Sequence, residues 1–175
     1  MIAIKIDNDG KLNGSKFFGE AFLPESWIAG DEFGCFEVFI CQIDLEEVAP
    51  FDKNGLLPDK GYLYFFMDFD SKPVKGIVRY AESPDASTFF NEDADVDYDV
   101  ETEYVVDFYG ADDAPVGLLC RHKKLYDNEV CLLKFTPDSL ADMDFLSGTD
   151  GVIMFVIDKD DLKNRRFENA TLISV

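Results

Sequence analysis

Histidine is almost absent from this chain of 175 residues, and basic residues are few. The single histidine, His122, excludes a metal site built from several imidazoles. Lys and Arg number 16 against 36 Asp and Glu, which gives a formal net charge of −20 at pH 7. Such a surface repels phosphate, and the one basic cluster, residues 121–124 (RHKK), is too small to reverse that repulsion. We therefore expect no nucleic-acid partner and no anionic membrane surface, and the charge favours a basic protein as partner.

Several motifs that carry familiar chemistry are also missing. The sequence holds neither G-x-x-x-x-G-K-[ST] nor G-x-G-x-x-G, so it predicts no nucleotide cofactor. Cys35, Cys41, Cys120 and Cys131 form no C-x-x-C pair, and we expect all four thiols to be buried and reduced. The first residues, MIAIKIDNDG, show neither a signal-peptide apolar region nor a membrane-spanning length. A cytoplasmic protein without a metal or cofactor is the expectation.

No catalytic constellation is evident in the sequence. Ser15 and Ser139 have no nearby histidine, and His122 stands among basic residues. The acids within residues 44–47 (DLEE) are typical of the solvated face of a short helix. We therefore predict that the protein is not an enzyme.

Aromatic residues are abundant and indicate a packed core. A disordered chain of this net charge would lack the 17 Phe and 7 Tyr present here. Short runs rich in β-branched and aromatic residues predict strands at residues 36–43, 62–69, 74–80, 104–109, 129–135 and 152–157. Helical patterns are short, at residues 44–48, 136–143 and 160–163. The predicted class is mainly β with short helical inserts.

A weak internal repeat relates residues of about 36–68 to about 129–158. Each segment contains a strand, a short helical turn, a loop, a glycine and an apolar strand, and Gln42 aligns with Lys134 as Gly61 does with Gly151. Duplication of one β-rich unit explains the match, and so do two unrelated strand pairs with similar requirements. No change of composition marks a linker, so we predict a single domain over residues 1–175.

Three blocks of sequence carry a resemblance to a known family. They are SKFFGEAFLPESW from Ser15, FICQIDLEEVAPF with LLPDKGYLYFFMD from Phe39, and GVIMFVIDKDDLKNRRFENA from Gly151. In this order they resemble the YwqG-like family, a bacterial family without an established biochemical function. The resemblance implies a roll-like single domain built from two similar halves, and it supplies no catalytic residues. Because some relatives are encoded beside secreted-toxin genes, it also implies an immunity or chaperone-like role.

An acidic stripe is the most conspicuous local pattern. Every odd position of the run DADVDYDVETE is acidic: Asp93, Asp95, Asp97, Asp99, Glu101 and Glu103. A calcium loop starting at Asp93 needs Gly at its sixth position and Glu at its twelfth, where this chain has Tyr98 and Tyr104. The even positions are mostly strand formers, which favours a strand with one apolar face and one carboxylate face over a disordered segment. Weak, nonspecific association of divalent cations is compatible with this face.

Two functional hypotheses follow from the sequence. The preferred one is a non-enzymatic interaction domain whose acidic stripe binds a basic protein, with an antitoxin-like role. The alternative is a small-ligand-binding or enzymatic β-roll with an aromatic pocket between its halves, for which Trp27 and Tyr62 are the candidate lining residues. A concave aromatic pocket in the structure would favour the ligand-binding hypothesis, and an exposed acidic face would favour the hypothesis of a protein partner.

Overall fold

Antiparallel strands are the main regular structure of the described chain, as the sequence predicts. The computed structural model describes residues 1–7, 13–30, 33–34, 37–88, 103–136 and 151–175. The strands in these residues are β1 Ile2–Ile6, β2 Lys16–Phe17, β3 Ala21–Leu23, β4 Glu37–Asp44, β5 Tyr62–Asp68, β6 Lys75–Ala81, β7 Ala86–Thr88, β8 Tyr104–Gly110, β9 Gly117–Cys120, β10 Glu129–Phe135, β11 Ile153–Asp158 and β12 Thr171–Ser174. The helices are α1 Glu25–Ala29, α2 Leu45–Val48, α3 Lys159–Lys163 and a 3-10 turn at Phe167–Asn169.

The short helices begin where the sequence provides a cap. The Asp44 carboxylate accepts a hydrogen bond from the Glu46 N–H and starts α2, and Asp158 does the same for the Asp160 N–H at the start of α3. Such side-chain caps satisfy backbone donors that a helix start leaves unpaired. The predicted helix at residues 136–143 lies mostly outside the described residues. No helix in the described part of the chain is long and apolar enough to cross a membrane.

Ten strands form one sheet with a symmetric order. The order is β12-β11-β10-β9-β1-β8-β2-β4-β5-β6, and β3 and β7 form a separate pair. The central strands are β1 and β8. Outward from β1 follow β9, β10, β11 and β12, and outward from β8 follow β2, β4, β5 and β6, so that on each side the strands appear in the order of the sequence. The two sides therefore have the same antiparallel connections.

Local irregularities recur at matching places on the two sides. The β4–β5 pairing shifts register between Phe39 and Cys41, and the β10–β11 pairing shifts between Cys131 and Leu133. Two non-glycine residues have positive φ near the ends of the equivalent strands β2 and β9: Phe18, at 54°, directly follows β2, and Leu119, at 50°, is the third residue of β9. A duplicated unit would produce this arrangement, and duplication stays a prediction.

The two edges of the sheet approach each other and give the molecule a near-closed, barrel-like shape. At Gly76 in β6, a Cβ atom would lie 2.6 Å from the Phe155 ring and 2.9 Å from the Leu172 Cβ. Because β11 and β12 carry these two residues, glycine is what allows the edges to come this close.

The interior is filled mainly by aromatic and aliphatic side chains from both halves. Phe65 contacts Phe155 edge-on with ring centroids 5.1 Å apart, and Phe17 contacts Phe135 at 6.5 Å. All four rings belong to one buried cluster, so the halves share a core.

Candidate functional site

Only one member of the acidic stripe lies in the described part of the chain. Asp93, Asp95, Asp97, Asp99 and Glu101 lie outside the described residues. Glu103 precedes β8, and its Oε2 lies 2.7 Å from the Lys16 Nζ. The Lys16 side chain is 3% exposed and that of Glu103 is 26% exposed, so this carboxylate neutralises a buried ammonium group.

A glycine makes room for the Glu103 side chain. Gly19 has φ of +70°, and a Cβ atom there would lie 2.8 Å from the Glu103 Cβ and 2.9 Å from its Oε2. Both the backbone conformation and the space therefore require glycine. Glu103 is consequently a structural partner of Lys16, with less of its carboxylate available to another molecule.

A buried amide joins β4 to the segment that precedes α1. The Gln42 Oε1 accepts a hydrogen bond from the Phe22 N–H at 2.8 Å, and the Gln42 Nε2 donates to the Gly14 carbonyl at 2.8 Å. The Ser15 Oγ accepts a hydrogen bond from the Asp44 N–H at 2.9 Å. These polar groups are satisfied within the protein, and they hold the SKFFG block against the sheet.

Trp27 and Tyr62 come together on the outer face of the first half of the sheet. Both contact Tyr64, with centroid distances of 5.7 Å for Trp27 and 6.1 Å for Tyr62. The Tyr62 hydroxyl donates to the Asp44 Oδ2 at 3.2 Å, and burial together with this carboxylate raises the pKa of Tyr62 well above its ordinary value. The Tyr64 hydroxyl donates to the Phe22 carbonyl at 2.7 Å. The rings therefore form a packed layer in which the two predicted residues support Tyr64.

Arg79 lies over this layer. Its guanidinium carbon is 4.5 Å from the centre of the Phe33 ring, and its Nη2 donates to both carboxylate oxygens of Glu37 at 3.2 and 2.9 Å. Charge-assisted bonds of this kind are strong when they are partly shielded from water. The aromatic layer is thus fixed at its rim by an ion pair.

A separate concave surface lies on another part of the described chain. A cleft of about 1060 Å³ is formed by the loop at residues 51–56, the start of the chain with residues 110–112, and the segment at residues 119–130. His122 and Arg121 are in its lining, and so are acids from each of the three segments. Neither Trp27 nor Tyr62 lines this cleft.

Several acids of the cleft already have backbone partners. The Asp52 carboxylate accepts hydrogen bonds from the Leu57 N–H at 2.8 Å and the Asn54 N–H at 3.3 Å. The Glu129 Oε2 accepts one from the Tyr126 N–H at 2.9 Å. These contacts shape the loops and leave fewer acids to neutralise the cleft's cations.

The basic run RHKK contributes Arg121 and His122 to the lining of the cleft. Among the described residues, the side chains of Arg121, Lys123 and Lys124 form no ion pair with an acid. His122 lies between these cations, and its Nδ1 accepts a hydrogen bond from the Lys124 N–H at 3.4 Å. No group of three or more metal-binding side chains occurs within the described ranges.

The chain belongs to a family described as a domain of unknown function, DUF1963. The family model matches residues 15–117, which is more than half of the chain. This match begins at the SKFFG block, covers β2 to β8 and ends at the start of β9. A comparison with curated proteins found no match.

Proposed function

We propose that this member of the family is a non-enzymatic interaction domain that binds a basic protein through its acidic surface. One observation carries the proposal. Asp44 is the only buried acid among the described residues, whereas the two cations Lys16 and Lys134 are both buried. Every other described acid is therefore at least partly exposed, where its charge acts on an approaching partner.

The size of this charge surplus favours rapid capture of a cationic molecule. Electrostatic steering raises association rates by about 10- to 1000-fold and weakens as salt is added. The Debye length falls from about 14 Å at 50 mM salt to about 6 Å at 300 mM, by scaling from about 10 Å at 0.1 M. Salt dependence is therefore the signature that the proposal requires.

The finer form of the proposal is a YwqG-like protein with an immunity or antitoxin-like role. It rests on the resemblance of the SKFFG and GVIMFVID blocks, together with the acidic surface, which suits neutralisation of a cationic effector. Within the acidic surface we assign the contact to the stripe from Asp93 to Glu101, with Glu103 serving mainly to neutralise Lys16.

Affinity capture with matched variants tests the proposal. The immobilised protein is exposed to a lysate of the cells that carry its gene, at 50 and 300 mM NaCl. The stripe variant D93N/D95N/D97N/D99N/E101Q removes five acids. The control variant removes five exposed acids that form no ion pair with described residues: Asp59, Asp70, Asp112, Asp127 and Glu168.

The proposal predicts a basic protein that the wild type and the control variant retain at 50 mM NaCl. The stripe variant should release it, and 300 mM NaCl should weaken its retention. Equal retention by both variants would show that the stripe is not the contact. If no basic protein is retained at low salt, the interaction hypothesis fails.

A second candidate function is supported by the cleft. Because it combines about 1060 Å³ of space with the Arg121 guanidinium, which forms no ion pair with a described acid, it suits a small anionic ligand. Thermal-shift measurements with inorganic phosphate and with di- and tricarboxylates test this reading. Stabilisation by one of these anions that R121A abolishes would support it, and no stabilisation by any of them would exclude these ligand classes.

A further inference from the structure

Two of the four cysteines lie directly opposite each other on neighbouring strands. Cys120 at the end of β9 pairs with Cys131 in β10 in an antiparallel register. Residues opposed in this way have Cα atoms about 4.5–5.5 Å apart and project their side chains to the same face of the sheet. A disulfide requires a Cα separation of about 4.4–6.8 Å, so the backbone is already placed for one.

The surroundings of the two sulfur atoms differ. Both side chains belong to a small apolar cluster with Met154 and Val156, and both thiols are free. Cys131 is fully buried, whereas Cys120 contributes to the lining of the large cleft. Cys120 is therefore the sulfur that a small molecule in the cleft reaches first.

Contact between the thiols prepares Cys120 to react. A hydrogen bond from the Cys131 thiol lowers the pKa of Cys120, and the nearby Lys134 ammonium and the N-terminal amine lower it further, against the opposing effect of burial. The same hydrogen bond, together with burial, raises the pKa of Cys131. The thiolate is the reactive form of cysteine, and a lowered pKa increases its share at a given pH.

We propose that Cys120 and Cys131 are an oxidisable dithiol that a peroxide, entering through the cleft, converts to an intramolecular disulfide. The Cys120 thiolate attacks the O–O bond, an S–O bond forms, and hydroxide leaves and is protonated to water. The Cys131 sulfur then attacks the Cys120 sulfur, so that the S–S bond forms and the S–O bond breaks. The departing hydroxide takes the Cys131 proton as a second water, and the two thiols have been oxidised by one peroxide.

The disulfide would close the loop that carries the cleft's cations. Cys120 and Cys131 lie at the base of the connection between β9 and β10, and Arg121 and His122 immediately follow Cys120. Oxidation would therefore restrict the segment that places these two side chains in the cleft. The geometry of the cleft would therefore depend on whether Cys120 and Cys131 are reduced or joined by a disulfide.

Cys41 is an internal control for this proposal. It is fully buried in β4, where its register partners are Phe17 and Phe65, and burial raises the pKa of its thiol. A general reaction of buried cysteines would modify Cys41 as well. A reaction that needs an opposed thiol and access from the cleft would leave it unchanged.

Peptide mass spectrometry of the folded, full-length protein after treatment with hydrogen peroxide tests the proposal. Trypsin cuts after Arg121, Lys123 and Lys124, which places Cys120 and Cys131 in separate peptides at residues 80–121 and 125–134. We expect these two peptides to become linked with the loss of two hydrogens, at least tenfold faster than any modification of Cys41. The link should be absent in C120A and C131A and unchanged in C35S and C41S.

Three results would overturn the proposal. They are an unlinked sulfinic acid on Cys120 with Cys131 still reduced, modification of Cys41 at the same rate, and both thiols remaining unmodified in folded protein. Because the central measurement uses the wild type, it holds even if an alanine variant folds poorly. Circular dichroism before and after treatment verifies that the reaction occurs in the folded state.

Discussion

Lys16 places an ammonium group inside the molecule, and Glu103 neutralises it at 2.7 Å. Removing one member of a buried, hydrogen-bonded charge pair leaves the other desolvated. Neither residue is unusual in sequence, and they are 87 positions apart. The ion pair between Lys16 and Glu103 can therefore be identified only from the fold, which places β2 beside β8.

We predict that E103Q lowers the free energy of unfolding by about 2 kcal/mol, in the range of hydrogen bonds to charged groups. Urea denaturation followed by circular dichroism measures the change. E82Q is the matched control, since Glu82 pairs with Lys60 where both side chains are more than half exposed, and it should unfold at nearly the wild-type urea concentration. If E103Q is as stable as E82Q, the buried pair does not have the structural role assigned to it.

Asp113 makes a pH-dependent contribution to the free energy of unfolding, and the sign of that contribution follows from its pKa shift. A hydrogen bond from the Lys134 ammonium, at 3.0 Å, lowers the pKa of Asp113 below its ordinary value of 3.8. A group whose pKa is lower in the folded state stabilises the fold above its unfolded pKa, and that stabilisation is lost as pH falls through the folded pKa. We expect D113N to be less stable than the wild type at pH 6, with the difference vanishing near pH 2. Urea denaturation at several pH values measures this, and a difference that grows on acidification would contradict the assignment.

The long strands were predictable because they carry their own pattern. The runs at 36–43, 62–69, 74–80, 104–109, 129–135 and 152–157 correspond to β4, β5, β6, β8, β10 and β11. Apolar and aromatic residues concentrate there because the strands are buried on one or both faces. Strands β2 and β3, with two and three residues, are too short to show an alternating pattern of apolar residues. They are recognised as strands only because they pair with neighbouring strands.

The candidate sites were less predictable than the strands. The aromatic run YLYFF shows that Tyr62 and Tyr64 share a face, but Trp27 reaches Tyr64 only through the packing of α1. The cleft is built from segments far apart in sequence, none of which has a distinctive motif. The register of β9 and β10, which brings Cys120 opposite Cys131, depends on a loop without a recognisable two-residue turn.

The approach of β6 to β11 and β12 gives a prediction at the level of elements. G76A should destabilise the protein by about 1–3 kcal/mol, because its Cβ would meet the Phe155 ring and the Leu172 Cβ at less than contact distance. Gly110 in β8 is the matched control, since a Cβ atom there meets nothing within 4 Å. Thermal denaturation of G76A and G110A compares the two. Equal melting temperatures would show that the sheet edges do not need this glycine.

For the whole molecule, the surplus of negative charge should make stability increase with salt. Neighbouring acids about 7 Å apart repel by about 0.6 kcal/mol in water, and physiological salt removes about half of this. Exposed ion pairs also weaken in salt, but each contributes little. We therefore expect the melting temperature to rise by about 3–6 °C between 20 and 300 mM NaCl, since about 1 kcal/mol corresponds to about 2–4 °C at this size. A melting temperature that falls with added NaCl would mean that attractive pairs outweigh the repulsion.

The central claim is that the acidic stripe captures a basic partner, and the association rate tests it most directly. Surface plasmon resonance on the captured partner would compare the wild type, the stripe variant and the five-acid control at 50 and 300 mM NaCl. We expect the stripe variant to associate at least tenfold more slowly than the wild type at 50 mM NaCl and the control less than threefold more slowly, and we expect 300 mM NaCl to reduce the difference. Equal association rates for the two variants, or rates that do not change with salt, would contradict it.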